Sequence, residues 1–120
     1  MFKIDSDKTI HLTRGDEATI KLTNLNGNFV IGDKIKFTIV EKNHNETIAF
    51  QKEYTVSTES NEIYLTLTSQ ETKIGEIINK PVDYWYEIEY NGSQTLVGYD
   101  EDGAKILTLY PETSDKEGDE

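Results

Sequence analysis

The sequence predicts an all-β protein, an antiparallel two-layer β-sandwich of immunoglobulin-like type with about seven to nine short strands and no disulfide. Three observations support this. Apolar and polar residues alternate with period two in segment after segment, which is the pattern of a strand with one buried face. Clusters of Gly, Asn and Asp interrupt the alternation roughly every 8 to 12 residues, the spacing found in sandwiches and small barrels. No long helical pattern separates the strands, which argues against a parallel α/β sheet. A chain of 120 residues suits one domain, whose core buries roughly two-thirds of the unfolded surface. Without cysteine, the fold rests on packing alone.

Phe2 to Ile4 reads as a short edge strand or a lead-in. In Thr9 to Leu22, Ile10 and Leu12 alternate with polar residues, Arg14-Gly15-Asp16 intervenes, and Ala18, Ile20 and Leu22 resume the pattern. A tight hairpin centred on Gly15 would pair Leu12 with Ala18 and Ile10 with Ile20; alternatively, the two strands lie in facing sheets. Asn24 to Asn28 is a turn with Gly27 free to take positive φ, Phe29-Val30-Ile31 is a short apolar run, and Gly32-Asp33 breaks it.

Lys34 to Lys42 is the clearest strand, with Ile35, Phe37 and Ile39 on one face and Lys34, Lys36 and Thr38 on the other. After the polar turn Asn43 to Glu46, Ile48, Phe50, Lys52 and Tyr54 are expected to share a face of the next strand. Glu62 to Leu67 places Ile63, Leu65 and Leu67 inward. Thr68-Ser69-Gln70-Glu71 has the spacing of a capping box and predicts one helical turn through about Ile74.

Pro81 to Tyr90 sets Tyr84, Tyr86, Ile88 and Tyr90 on one face and Asp83, Trp85, Glu87 and Glu89 on the other. Asn91-Gly92 signals a type I′ hairpin returning as Gln94 to Tyr99; a two-residue turn, the preferred reading, places Val97 and Tyr99 inward, and a three-residue loop would choose Leu96. After the turn Asp100 to Gly103, Lys105 to Tyr110 is the last strand. Residues 1–111 thus form a single sandwich domain, and 112–120, charged and without an apolar anchor, an acidic disordered tail.

A net charge of −11 with unclustered Lys and Arg argues against nucleic-acid binding, which needs a basic footprint. The plain reading of the acidity is a solvated, self-repelling surface. The start, MFKIDSDK, has no apolar run of signal-peptide length, and no segment approaches the ~20 apolar residues of a membrane helix. The expectation is a soluble protein with no membrane partner.

Chemistry-bearing constellations are sparse. His11 lies on the strand face opposite Ile10 and Leu12, and His44 in a polar turn; both read as surface residues rather than bases or ligands. No nucleophile motif or phosphate-binding loop is present. No catalytic residue, cofactor-binding residue or metal ligand is therefore assigned, and the chain is read as no enzyme. Asp5-x-Asp7 and Asp100-Glu101-Asp102-Gly103 place carboxylates near turns, as calcium sites do, without the spacing of an EF-hand loop. Arg14-Gly15-Asp16 spells the integrin-recognised tripeptide, although a glycine after a strand is also what a turn requires.

Trp85 is the candidate contact residue. It shares its strand face with Asp83, Glu87 and Glu89, so it points away from the core. Either a loop or the tail covers it, or it anchors an interface, or with neighbouring tyrosines it stacks on a sugar.

Five stretches carry a resemblance when taken in order. They are Ile10 to Asp16, Gly32 to Ile39, Leu67 to Thr72, Tyr86 to Tyr90 and Leu109 to Glu112. Together they resemble an immunoglobulin-like domain of phages of Gram-positive hosts, found at the N-terminus of upper baseplate proteins and in small tail-associated proteins. The match spans most of residues 9 to 112; Glu76 to Lys80 is longer than the tight glycine turn of that family. The resemblance implies a non-enzymatic structural module of a phage or prophage tail or baseplate, located in the virion and, before assembly, in the host cytoplasm. Because the chain stops soon after Glu112, a small accessory protein is expected rather than a baseplate arm. Its partners would be other tail or baseplate proteins or copies of itself, the latter making a homo-oligomer. A carbohydrate-binding or cell-surface adhesion module is the alternative.

Overall fold

The computed structural model describes residues 1–113, apart from the side chains of His44 and Asn45. Its strands are β1 (Phe2–Ile4), β2 (Ile10–Thr13), β3 (Ala18–Thr23), β4 (Lys34–Glu41), β5 (His44–Thr55), β6 (Glu62–Leu67), β7 (Val82–Tyr90), β8 (Gln94–Val97) and β9 (Lys105–Tyr110). They form a seven-stranded sheet in the order β1-β2-β9-β7-β4-β5, with β8 beside β7, and a two-stranded sheet of β3 and β6. Every pair is antiparallel except β2 with β9. The result is the two-sheet, antiparallel-dominated β-sandwich expected of an immunoglobulin-like domain without a disulfide.

Alternation decides which residues meet between the sheets. Ile10 and Leu12 of β2, Ile35, Phe37 and Ile39 of β4, Tyr86 and Ile88 of β7, and Leu107 and Leu109 of β9 face Ala18, Ile20, Leu65 and Leu67 of the small sheet. Ile10 and Ala18 therefore sit in facing sheets. The alternative arrangement of the Thr9 to Leu22 segment is the one adopted, and the hairpin is not formed. A hairpin would have set these two short strands side by side; crossing between sheets instead lets both apolar faces cover one another.

Two irregularities change which side chains reach the surface. Along β4 and β5, Ile35 pairs with Tyr54, Phe37 with Lys52 and Ile39 with Phe50, but the register then shifts and Val40 pairs with Ile48. Ala49 is the extra residue of a bulge, which reverses the inside–outside frame beyond it. Ile48, expected on the face of Phe50, joins Val40 on the outer face and is 54% exposed.

The Asn91-Gly92 turn forms, with φ of 53° and 69° and a bond from the Ser93 N–H to the Tyr90 carbonyl. Pairing beyond it matches Tyr90 with Gln94 and Glu89 with Thr95, then shifts so that Val97 opposes Ile88. Val97 packs against the core as expected. Tyr99 does not: β8 ends at Val97, and Tyr99 is 74% exposed.

The capping box is real and reciprocal. The Glu71 N–H donates to Thr68 Oγ1 (3.1 Å) and the Thr68 N–H to Glu71 Oε1 (2.9 Å), closing a single hydrogen-bonded turn. Of the segment read as a disordered tail, residues 114–120 lie outside the described residues. Glu112 does not behave as tail: its side chain is 3% exposed and packs against Arg14.

Candidate functional site

The motif stretches lie far apart in sequence, yet they converge on two polar clasps, one at each end of the sandwich. At the first, Arg14 reaches from the β2–β3 turn into the long β6–β7 connection. Its Nη2 donates to the Gly75 carbonyl (2.8 Å) and its Nε to that of Ile74 (3.3 Å), while Nη1 lies 3.5 Å from Glu112 Oε2. Thr72, wholly buried, accepts from the Gly15 N–H (3.0 Å) and donates to the Asp16 carbonyl (2.8 Å). Gly15 adopts φ of 91°, and a Cβ there would meet Glu112 Oε1 at 2.6 Å, so a side chain would be strained and would push that carboxylate aside. The arginine of the integrin-like tripeptide is thus only 3% exposed. It fastens turns rather than presenting itself to a receptor.

At the opposite end Asp33 takes the corresponding role. Its carboxylate accepts from the Tyr90 hydroxyl (2.7 Å), the Val30 N–H (3.0 Å) and the Asn91 side-chain amide (3.2 Å). The Tyr90 bond, then the Val30 and Asn91 bonds, hold this carboxyl below the ordinary aspartate range. Because the folded-state pKa is depressed, its stabilising effect is present above the unfolded value of about 4 and is lost as pH falls through the folded value. Asp33→Asn is therefore expected to unfold at lower urea than the wild type at pH 7, with the difference shrinking in titrations carried below about pH 4. An unchanged difference across that range contradicts the role.

The remaining sequence candidates disperse. His11 is held between Tyr110 Oη at Nδ1 and Asp5 Oδ2 at Nε2, both at 2.7 Å, on the outer surface near β1. The His44 side chain lies outside the described residues. Of the acidic turns, Asp7 caps the Thr9 N–H (3.0 Å), and Asp100 accepts from the Asp102 N–H (2.9 Å) and pairs with Lys105 (2.7 Å). The two turns border one depression. Among the described residues no group of three or more His, Cys, Asp or Glu is placed to hold a metal ion.

Trp85 belongs to a different arrangement, on the outer face of the large sheet. Register places Ile48 beside Val40, Val40 beside Trp85 and Trp85 beside Ile106, so an apolar row crosses β5, β4, β7 and β9. Tyr99 folds back over the row from beyond β8, its ring centroid 6.3 Å from that of the indole and its plane turned 69° to it. The two rings wall a surface cleft of about 220 Å³, bordered also by Thr38, Glu87 and Lys105. Glu87 is half-buried there, and burial followed by repulsion from Glu89 pushes its carboxyl above the ordinary range, with Lys36 offsetting part of the effect.

Outward projection of Trp85 is legible from alternation. Its partners were not. Tyr99 was expected inward because the strand frame was extended through it, and Ile48 was misplaced by the bulge. The glycine at 98 was the available signal for Tyr99, since it marks where β8 gives way. Among the described residues no helix is long and apolar enough to cross a membrane. Comparison with protein-family models, curated proteins and solved structures finds no match.

Proposed function

We propose that this chain is a non-enzymatic docking module, a structural component of a phage or prophage tail or baseplate. The observation that carries the docking reading is the outer face of the large sheet, where the apolar row from Ile48 to Ile106 meets the exposed Tyr99. Asp83, Glu87 and Glu89 flank Trp85 along β7, with Lys36 of β4 beside Glu89, giving the apolar centre and charged rim of an association surface. The tail setting is supported by the ordered motif resemblance. A foreign tail protein is favoured over a second copy, because two chains of charge −11 would bring identical acidic rims together.

The test is the solution mass by light scattering of this protein mixed with proteins encoded by adjacent genes. A stoichiometric complex with one of them, weakened at least about tenfold by Trp85→Ala as for an interface hot spot, is expected. No complex with any neighbour, or one indifferent to Trp85→Ala, refutes the proposal.

Carbohydrate binding is the second reading, favoured by the aromatic walls of the cleft and its polar border of Thr38 and Glu87. A sugar would stack on the indole and hydrogen-bond to the carboxylate. Glycan-array signal at background for the wild type removes this reading.

A further inference from the structure

We propose that the Trp85–Tyr99 cleft receives an arginine side chain of the partner protein, an inference that rests on the docking reading. The cleft has two charged side chains on its border, and they are not equivalent. Lys105 is committed: its ammonium bonds Asp100 Oδ1 at 2.7 Å and the Gly103 carbonyl at 3.4 Å. Glu87 forms no hydrogen bond, and no cation lies within 4.0 Å of it, among the described residues. Lys36 offsets its charge only in part and from farther off, so the charge left on the cleft border is negative.

The backbone crowds one flank of that side chain. At Gly98 an added Cβ would lie 2.7 Å from Thr95 Cγ2 and 3.3 Å from Glu87 Cβ. The chain thus passes closely along the flank of Glu87 and takes solvent from one side of it. A half-buried, unpaired anion gains more from an incoming cation than a solvated one does.

The aromatic walls select among cations. Glu87 borders the same cleft that the indole and the Tyr99 ring wall, so a flat cation entering it meets aromatic surface and a carboxylate together. A guanidinium is flat, weakly hydrated and forked toward carboxylates, whereas an ammonium is compact and holds its water. The charge of −11 also steers a basic partner toward this protein.

Trp85 is the sole tryptophan, so its emission reports on the cleft directly. The probes are a short blocked peptide containing one arginine, its citrulline counterpart of the same shape without the charge, and its lysine counterpart. A saturable emission change with the arginine peptide is expected, with citrulline binding at least about tenfold more weakly. Glu87→Gln should abolish this preference while retaining the wild-type far-UV spectrum, and Glu17→Gln, removing an exposed carboxylate outside the cleft, should not.

No saturable response to arginine, equal binding of citrulline, an unchanged response in Glu87→Gln or an equal loss in Glu17→Gln each overturns the proposal. Lysine binding as tightly as arginine overturns the choice of arginine. Complex formation with a neighbouring tail protein separates the two levels of the argument. If it needs Trp85 but not Glu87, the arginine assignment fails alone; if it needs neither, the docking reading fails as well.

Discussion

Arg14→Ala is expected to lower the unfolding free energy by about 3–5 kcal/mol, the cost of removing one partner from a buried ion pair. The guanidinium joins the carbonyls of Ile74 and Gly75 to Glu112, which is itself buried. Its removal takes from a buried carboxylate and two carbonyls the donor they share. Against a typical domain stability of about 5–15 kcal/mol, the variant should be close to unfolding at room temperature. Arg14→Lys should recover only part of the loss, since one ammonium cannot fork to partners on both sides. Urea denaturation followed by circular dichroism measures both, and a loss below about 1 kcal/mol for Arg14→Ala contradicts the clasp.

Phe37→Ala is expected to cost about 3–5 kcal/mol through lost burial and the cavity left behind. Phe37 is wholly buried at the centre of β4, with its ring 5.8 Å from that of Tyr86 and 6.5 Å from that of Phe50. Those neighbours belong to β7 and β5, on either side of β4. Rigid strands on both flanks limit collapse into the space, so the loss should fall near the upper end. Phe37→Leu, which keeps most of the volume, should cost clearly less in the same titration. Equal losses for the two variants would show that the site relaxes freely.

The scaffold was legible because it is written in local rules. Alternation placed Ile35, Phe37 and Ile39 in the core, and the Thr68–Glu71 spacing announced a reciprocal cap that the structure contains. The motifs themselves turned out to be scaffold: Arg14, Gly15, Thr72 and Glu112 meet in one clasp, and Asp33 and Tyr90 in the other. Spacing along the chain cannot show this convergence, since Gly15 and Thr72 are brought together only by the crossing between sheets. A stretch that reads as a recognition tripeptide was therefore structural.

The candidate surface was harder to read for the opposite reason. Its residues are set by departures from alternation, where backbone geometry overrides the period. The extra residue at Ala49 turns Ile48 outward beside Val40, and the end of β8 before Gly98 releases Tyr99 to cover Trp85. Only Trp85 followed from the pattern. Scaffold and surface thus share β7 but use opposite faces of it, Tyr86 and Ile88 inward and Trp85 and Glu87 outward.

That separation is tested most directly by the urea unfolding free energy of Trp85→Ala, followed by far-UV circular dichroism. If the indole serves the surface rather than the core, the variant should stay within about 1.5 kcal/mol of the wild type, as surface substitutions that lose only partial packing do. A loss of about 3 kcal/mol or more, the cost of truncating a buried aromatic, would make Trp85 part of the core and contradict the division between clasps and docking face.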